Sequence, residues 1–340
     1  MRLVLVTGTT RTATIDGISA AGASPDLVAH TPSADAEIVV YGEPVASPVT
    51  PVSPTGCPTP AAVTRAVVER LDLPVTVVDA GLAEPTAAPT VTVDASPGGD
   101  PRSAAAVPDA ADVFEAGLAY GRALPTDDPI LLGESVPGGT TTALGVLTAL
   151  GERATVSSSL PDNPLERKRA VVAEGLDASG LTAGGAAGAP TAAVRAMGDP
   201  VLAAGAGIAR GALETGTPLT LAGGTQLLAL AALLRHDGVE SPLSLATTSF
   251  LLDDESAAVA ALADSLDVAV RATDPGFDAV DHPATDAYCA GEAKEGVGMG
   301  GALSLVADAD ADMASVRERF VAIADRLDPS QPADDPAVTR

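Results

Sequence analysis

A carboxylate set inside a run of glycines and hydroxyls carries the most chemistry in this chain of 340 residues. The run is Leu131-Leu132-Gly133-Glu134-Ser135-Val136-Pro137-Gly138-Gly139-Thr140-Thr141-Thr142. Apolar residues 129–132 precede it and a mostly apolar stretch, 143–150, follows, so it reads as a strand end, a glycine turn and a helix start. Free main-chain N–H groups at a helix start carry roughly half a unit of positive charge and favour an anion. The spacing Gly133-x-x-x-x-Gly138-Gly139-Thr140 imitates the nucleotide-binding P-loop, except that glycine stands where a lysine would reach the outer phosphates. That disfavours an ATPase or kinase but suits a single phosphate held by backbone donors. The plain alternative is an ordinary strand-to-helix turn.

A second cluster, Glu295-Gly296-Val297-Gly298-Met299-Gly300-Gly301, leads into the apolar residues 302–306. By count it matches the dinucleotide fingerprint G-x-G-x-x-G, yet residues 287–294 supply no strand ahead of it, so a nicotinamide-dependent oxidoreductase has little support. Glu295 stands where glycine lets backbone approach a ligand closely, and a carboxylate there can accept a proton. As a general base it would contribute about a hundred- to ten-thousandfold in rate. The alternative is one more solvated acid. Asp162-Asn163-Pro164-Leu165-Glu166-Arg167-Lys168-Arg169 reads as a helix start whose basic side chains could meet a phosphate or form a salt-bridged face. Gly223-Gly224-Thr225-Gln226 marks another strand-glycine-helix junction.

These junctions need a frame. Runs at 2–7, 37–41, 75–79 and 90–94 have strand character, residues 46–60 form a loop, and 61–73 have helical spacing. Beyond the Pro/Gly/Asp-rich segment 95–108, a helix over 109–124 is followed by strands alternating with helices, for example at 129–132, 218–221 and 243–246. A final amphipathic helix spans 310–327, with Val316, Phe320, Ile323 and Leu327 on one face, and a frayed tail begins at 329. That rhythm predicts an α/β fold: a doubly wound, mostly parallel, Rossmann-like sheet, with a smaller lobe built from terminal segments. The expected division is a segment 1–100 contributing to the smaller lobe, a main nucleotide-binding domain 101–285, and a catalytic loop and helix over 286–340 that pack back on that lobe.

Acidic residues outnumber basic ones 45 to 19, a formal charge of -26 that repels nucleic acid. Because 46% of the chain is nevertheless hydrophobic, the acid must coat a folded globule, as on a surface adapted to high salt. Lys168 and Lys294 are the two lysines. Cys57 and Cys289 are too isolated for a disulfide framework or a zinc site and are expected to be buried or inert; the three histidines are scattered, and no metal is expected. No signal-peptide pattern opens the chain and the apolar tracts are interrupted, so the expectation is a soluble, cytoplasmic protein with no membrane partner.

Taken in order, Gly133-Glu134-x-x-x-Gly138-Gly139-Thr140-Thr141, the helix start through Lys168 followed by Ala170-Val171-Val172, Gly223-Gly224-Thr225 and Glu295-Gly296-x-Gly298 resemble the nicotinate-nucleotide:dimethylbenzimidazole phosphoribosyltransferase family. Asp16-Gly17-Ile18-Ser19-Ala20-Ala21-Gly22-Ala23 and Thr31-Pro32-Ser33-Ala34-Asp35-Ala36-Glu37 look like its archaeal-type branch, so the resemblance covers nearly the whole chain. It implies transfer of ribose phosphate from nicotinate mononucleotide to a benzimidazole or adenine base in cobalamin assembly, by a homodimer that needs no cofactor. By the same resemblance Glu295 is the general base, Glu134 lies near the ribose, and Gly133, Gly138, Gly139, Thr140, Thr141 and Lys168 line the phosphate. Gly223, Gly224, Gly296 and Gly298 complete the implied nucleotide site. Since no tryptophan and four phenylalanines are present, the slot for the base is expected to be aliphatic, with Met299 or Tyr288 as contributors. A nucleotide-binding regulator without activity is the alternative from another class.

Overall fold

Alternation along the first strand decides the architecture. Leu3 and Leu5 point into one apolar cluster, Val4 and Val6 into another, so both sheet faces must be covered. The computed structural model describes residues 1–19, 27–53, 55–309 and 311–328. Part of the 16–23 motif and the tail expected from 329 lie outside them. Seven parallel strands form one sheet: β1 Arg2–Thr7, β2 Val75–Asp79, β3 Thr90–Thr92, β4 Ile130–Ser135, β5 Leu219–Ala222, β6 Leu243–Thr248 and β7 Val268–Thr273, in the order β3-β2-β1-β4-β5-β6-β7. The doubly wound α/β fold expected from the strand-helix rhythm is thus present.

Helices Ala61–Leu71, Met299–Asp308 and Met313–Leu327 cover the face of Leu3, Leu5 and Leu131. Helices Ala110–Ala123, Gly139–Leu150, Pro200–Thr215 and Thr225–His236 cover the face of Val4, Val6 and Leu132. Val316, Phe320, Ile323 and Leu327 are buried as their spacing predicts, on a helix capped by the Asp312 side chain. The strand order reverses between β1 and β4, and the chain leaves these two paired strands toward opposite faces of the sheet, which opens a crevice at their carboxyl ends. Val6 is paired with Glu134 and Thr7 with Ser135 at that point.

One element differs in kind. Residues 37–41, which read as a strand, belong to the helix Thr31–Tyr41, with Pro32 in its first turn and Gly42 closing it in the left-handed conformation. Burial reaches nearly all sides of this helix, which erases the amphipathic signature and leaves the Ile38-Val39-Val40 run to mimic a strand. Both thiols are free, but Cys289 is exposed rather than buried. Among the described residues no helix is long and apolar enough to cross a membrane.

Candidate active site

Two glycines allow the two halves of the site to touch. A Cβ on Gly133, in β4, would meet the Gly298 Cα at 2.8 Å, so the loop after residue 292 can press on the sheet only if position 133 lacks a side chain, while Gly298 turns there at a φ of 73°. Val297 then donates its main-chain N–H to the Glu134 carbonyl at 2.9 Å, while its own carbonyl accepts the Thr64 hydroxyl at 2.9 Å. These bonds hold Val297 at a φ of 55°, a left-handed conformation that costs a β-branched residue about 1–3 kcal/mol. The strained turn carries Glu295 to the crevice. One of its oxygens accepts the N–H groups of Gly296 and Gly300 at 3.1 and 3.0 Å, and the other the Thr247 hydroxyl at 3.2 Å.

The result is an open cleft lined by Glu134, Gly138, Thr140 and Glu295, with apolar walls around them. Three carboxyls line it at graded acidity. Burial pushes Glu295 up to about 7, against the Gly300 and Gly296 N–H groups that favour the ionised form. Burial, then the charges of Asp199 and Glu295, lift Glu134 to about 8. Asp35 rises to about 6 by burial, opposed by the hydroxyls of Thr59 and Ser135 that donate to it at 2.6 and 2.7 Å. At neutral pH, Glu134 is therefore mainly protonated, Asp35 mainly ionised, and Glu295 poised between them, the separation that acid-base work requires.

The turn expected to cradle an anion lies at the start of the helix Gly139–Leu150, where Gly138 takes the left-handed conformation. Asp199 braces it from behind: its carboxylate accepts the Leu202 N–H, the Thr142 hydroxyl and the Gln226 amide, tying three helix starts together. Both lysines converge on the facing segment. Lys168 donates to the Ser157 carbonyl at 2.6 Å, and Lys294 to the Ser158 and Leu160 carbonyls at 3.3 and 3.4 Å and to Asp254 at 2.9 Å. Of the three consecutive bases only Lys168 turns inward; Arg169 pairs with Glu166 at the surface, and Arg167 is exposed.

Glu134, Gly138, Gly139, Thr140, Glu295 and Gly296 line the cleft together. Gly133 and Gly298 form the contact beneath it, and Gly224 backs Glu295, whose Cγ would lie 3.5 Å from a Cβ there. Gly223 bonds to the Ala246 carbonyl, while Thr141 and Lys168 are buried behind the wall. Met299 and Tyr288 do not line the cleft: both are fully buried, and the Tyr288 hydroxyl instead holds the Pro58 carbonyl at 3.1 Å. The aliphatic wall comes from Pro51, Val52, Pro58, Pro60 and Val297. Sequence reasoning missed the roles of Asp35, inside the helix Thr31–Tyr41, and of Asp199, ahead of the helix Pro200–Thr215; a lone carboxylate among small residues is a signal common to many surface acids.

This sheet order with its crevice at the switch point defines a doubly wound α/β protein. It shares its fold with nicotinate-nucleotide-dimethylbenzimidazole phosphoribosyltransferase from Thermus thermophilus, at a TM-score of 0.58 and 20% identity over 94% of this chain and 82% of that one. A second structure, CobT from the same organism, gives a TM-score of 0.59 at 20% identity over 95% and 83% of the two chains. By sequence, the chain belongs to the UPF0284 protein family. It is 58% identical to the UPF0284 protein of Halobacterium salinarum over 95% of this chain and 97% of that one. The Methanothermobacter thermautotrophicus relative is 40% identical over 93% and 90% of the two chains. No protein-family profile matches the chain.

Proposed function

We propose that the protein transfers the ribose phosphate of nicotinate mononucleotide to a nitrogen of a benzimidazole or adenine base, releasing nicotinate and forming an α-ribosyl product for the cobalamin nucleotide loop. The observation that carries this reading is the Val297 N–H bond to the Glu134 carbonyl, since it unites the anion cradle and Glu295 in one crevice. The phosphate sits at the start of the helix Gly139–Leu150, against Gly138, Gly139 and Thr140. The ribose lies at Glu134. The azole enters the aliphatic wall with its N–H toward Glu295, which takes that proton as the new C–N bond forms and the bond to nicotinate breaks.

Displacement at the anomeric carbon builds positive charge on the ribose, which the negative charge of Asp35 and of ionised Glu295 in the same cleft favours, while Glu134 keeps its proton. Inversion needs the incoming base held on the face opposite the leaving group, and a rigid cleft supplies that mainly by positioning. The subunits act as a homodimer in the cytoplasm. Incubation with nicotinate mononucleotide and equal amounts of dimethylbenzimidazole and adenine, read by mass spectrometry, tests the proposal: an α-ribosyl phosphate adduct with stoichiometric nicotinate release is expected. Binding without nicotinate release would instead identify a regulator.

A further inference from the structure

The anion end of the cleft rests on a lysine that does not reach it. Lys168 is wholly buried, and its ammonium has three N–H bonds to give. Each has a protein acceptor: the Ser157 carbonyl at 2.6 Å, Thr140 Oγ1 at 3.0 Å and Asn163 Oδ1 at 3.3 Å. Of these three partners only Thr140 lines the cleft. An ammonium cannot accept a hydrogen bond, so the Thr140 oxygen lends it a lone pair and keeps its own proton for another acceptor. Thr148, on the same helix, gives its proton to the Leu144 carbonyl, and the Thr142 hydroxyl has the Asp199 carboxylate and the Gly139 carbonyl as alternative acceptors; among the described residues the Thr140 hydroxyl donates to no protein acceptor.

We propose, on the functional reading above, that Lys168 is a positioning residue that acts on the ligand at one remove. By donating to Thr140 it fixes that hydroxyl as the donor presented to the ligand's anionic end. Thr140 lies in the first turn of its helix, where main-chain N–H groups already favour negative charge. Burial and the neighbouring Lys294 bring Lys168 down to about 7, with Asp254 acting in the opposite sense. An anion at Thr140 favours the charged lysine, so ligand and proton bind together.

Calorimetry with nicotinate mononucleotide and, as a phosphate-free control, nicotinate riboside tests this. Thr140→Val is expected to weaken mononucleotide binding about tenfold while sparing the riboside, and Thr140→Ser to restore it. Lys168→Met should cost a similar factor, and the double variant no more than the larger single loss, since both remove one shared donor. A further tenfold loss on adding Lys168→Met to Thr140→Val would show the ammonium meeting the anion directly and would overturn the proposal.

If Lys168→Met does not fold, the lysine can be followed in the intact protein. Isotopic lysine labelling gives two NMR signals, assigned with Lys294→Arg. Inorganic phosphate should move the Lys168 signal and raise its titration midpoint in the wild type but not in Thr140→Val. Equal shifts in both proteins, or none in the wild type, overturn the proposal. A wild type whose Lys168 responds to phosphate through Thr140, but which does not bind the mononucleotide, sinks the functional reading and leaves this one intact.

Discussion

Glu134 feels the charge of Glu295. The main-chain bond from Val297 to Glu134 ties their two segments together, both side chains line one cleft, and Glu295 follows burial and Asp199 among the causes that hold Glu134 near 8. A carboxyl that titrates near neutral pH therefore shares its cleft with a second one that keeps its proton, the pairing that the proposed general base requires. Turnover is expected to rise with pH through about 7 as Glu295 ionises. A pH-rate profile flat between about 6 and 8 would count against that assignment.

Replacing Glu295 by Gln keeps the shape of the side chain and removes proton acceptance. Turnover is expected to fall at least about a hundredfold while mononucleotide affinity stays within about twofold, separated by a product assay and calorimetry. Near-normal turnover in this variant would remove Glu295 from the chemistry.

Gly300→Ala probes the seat of that carboxylate. Its Cβ would lie 2.3 Å from the Thr247 Cα and 2.5 Å from Glu295 Oε2, and the first neighbour is backbone that cannot step aside. Lower turnover and a lower unfolding midpoint are both expected, with a stability loss of about 1–3 kcal/mol from overpacking. Unchanged stability would mean that the loop is looser than this contact implies.

Linkage gives a sign for stability. Asp35, Glu295 and Glu134 hold their protons to about 6, 7 and 8 in the folded chain, above the ~4 of an unfolded carboxyl. The folded state therefore binds more protons over most of that range, and the ligand-free protein should lose stability as pH rises from about 5 to 7 at constant high salt; above about 7 Lys168, held below its unfolded value, acts in the opposite sense. Thermal unfolding midpoints that climb over that window would contradict the burial of these groups.

Salt acts on the surface instead. With a formal charge of -26, exposed carboxylates repel one another over a Debye length of about 10 Å at 0.1 M and about 3 Å at 1 M. The unfolding midpoint should rise along that series, and a midpoint indifferent to salt would argue against a salt-adapted surface.

What the sequence made legible was local. Gly133, Gly138 and Glu295 announce themselves because glycine beside a carboxylate breaks the apolar patterns around it, and β1, β2 and β4 are short runs with strand character. What stayed hidden depends on packing. Asp35 sits on a helix whose complete burial disguises it as a strand. Glu37, two residues on, looks like another acid but gathers the N–H groups of Val45, Ala46, Ser47 and Ala87; burial raises its carboxyl, and these four bonds more than offset that, holding it below its ordinary value. The inward turn of Lys168 between two exposed arginines follows from which helix face meets Ser157, a tertiary fact.

The closing of the crevice by the last part of the chain also bears on how the protein is made. Thr64 and Ser53 find their partners in Val297 and Glu292, and Leu3, Leu5 and Leu131 share a cluster with Met299, Leu303 and Phe320. A nascent chain halted before residue 290 would carry all seven strands yet leave one greasy side of its sheet bare, an invitation to aggregate or to engage a chaperone. Such a chain would also lack Glu295, the group that the proposed reaction needs as its proton acceptor.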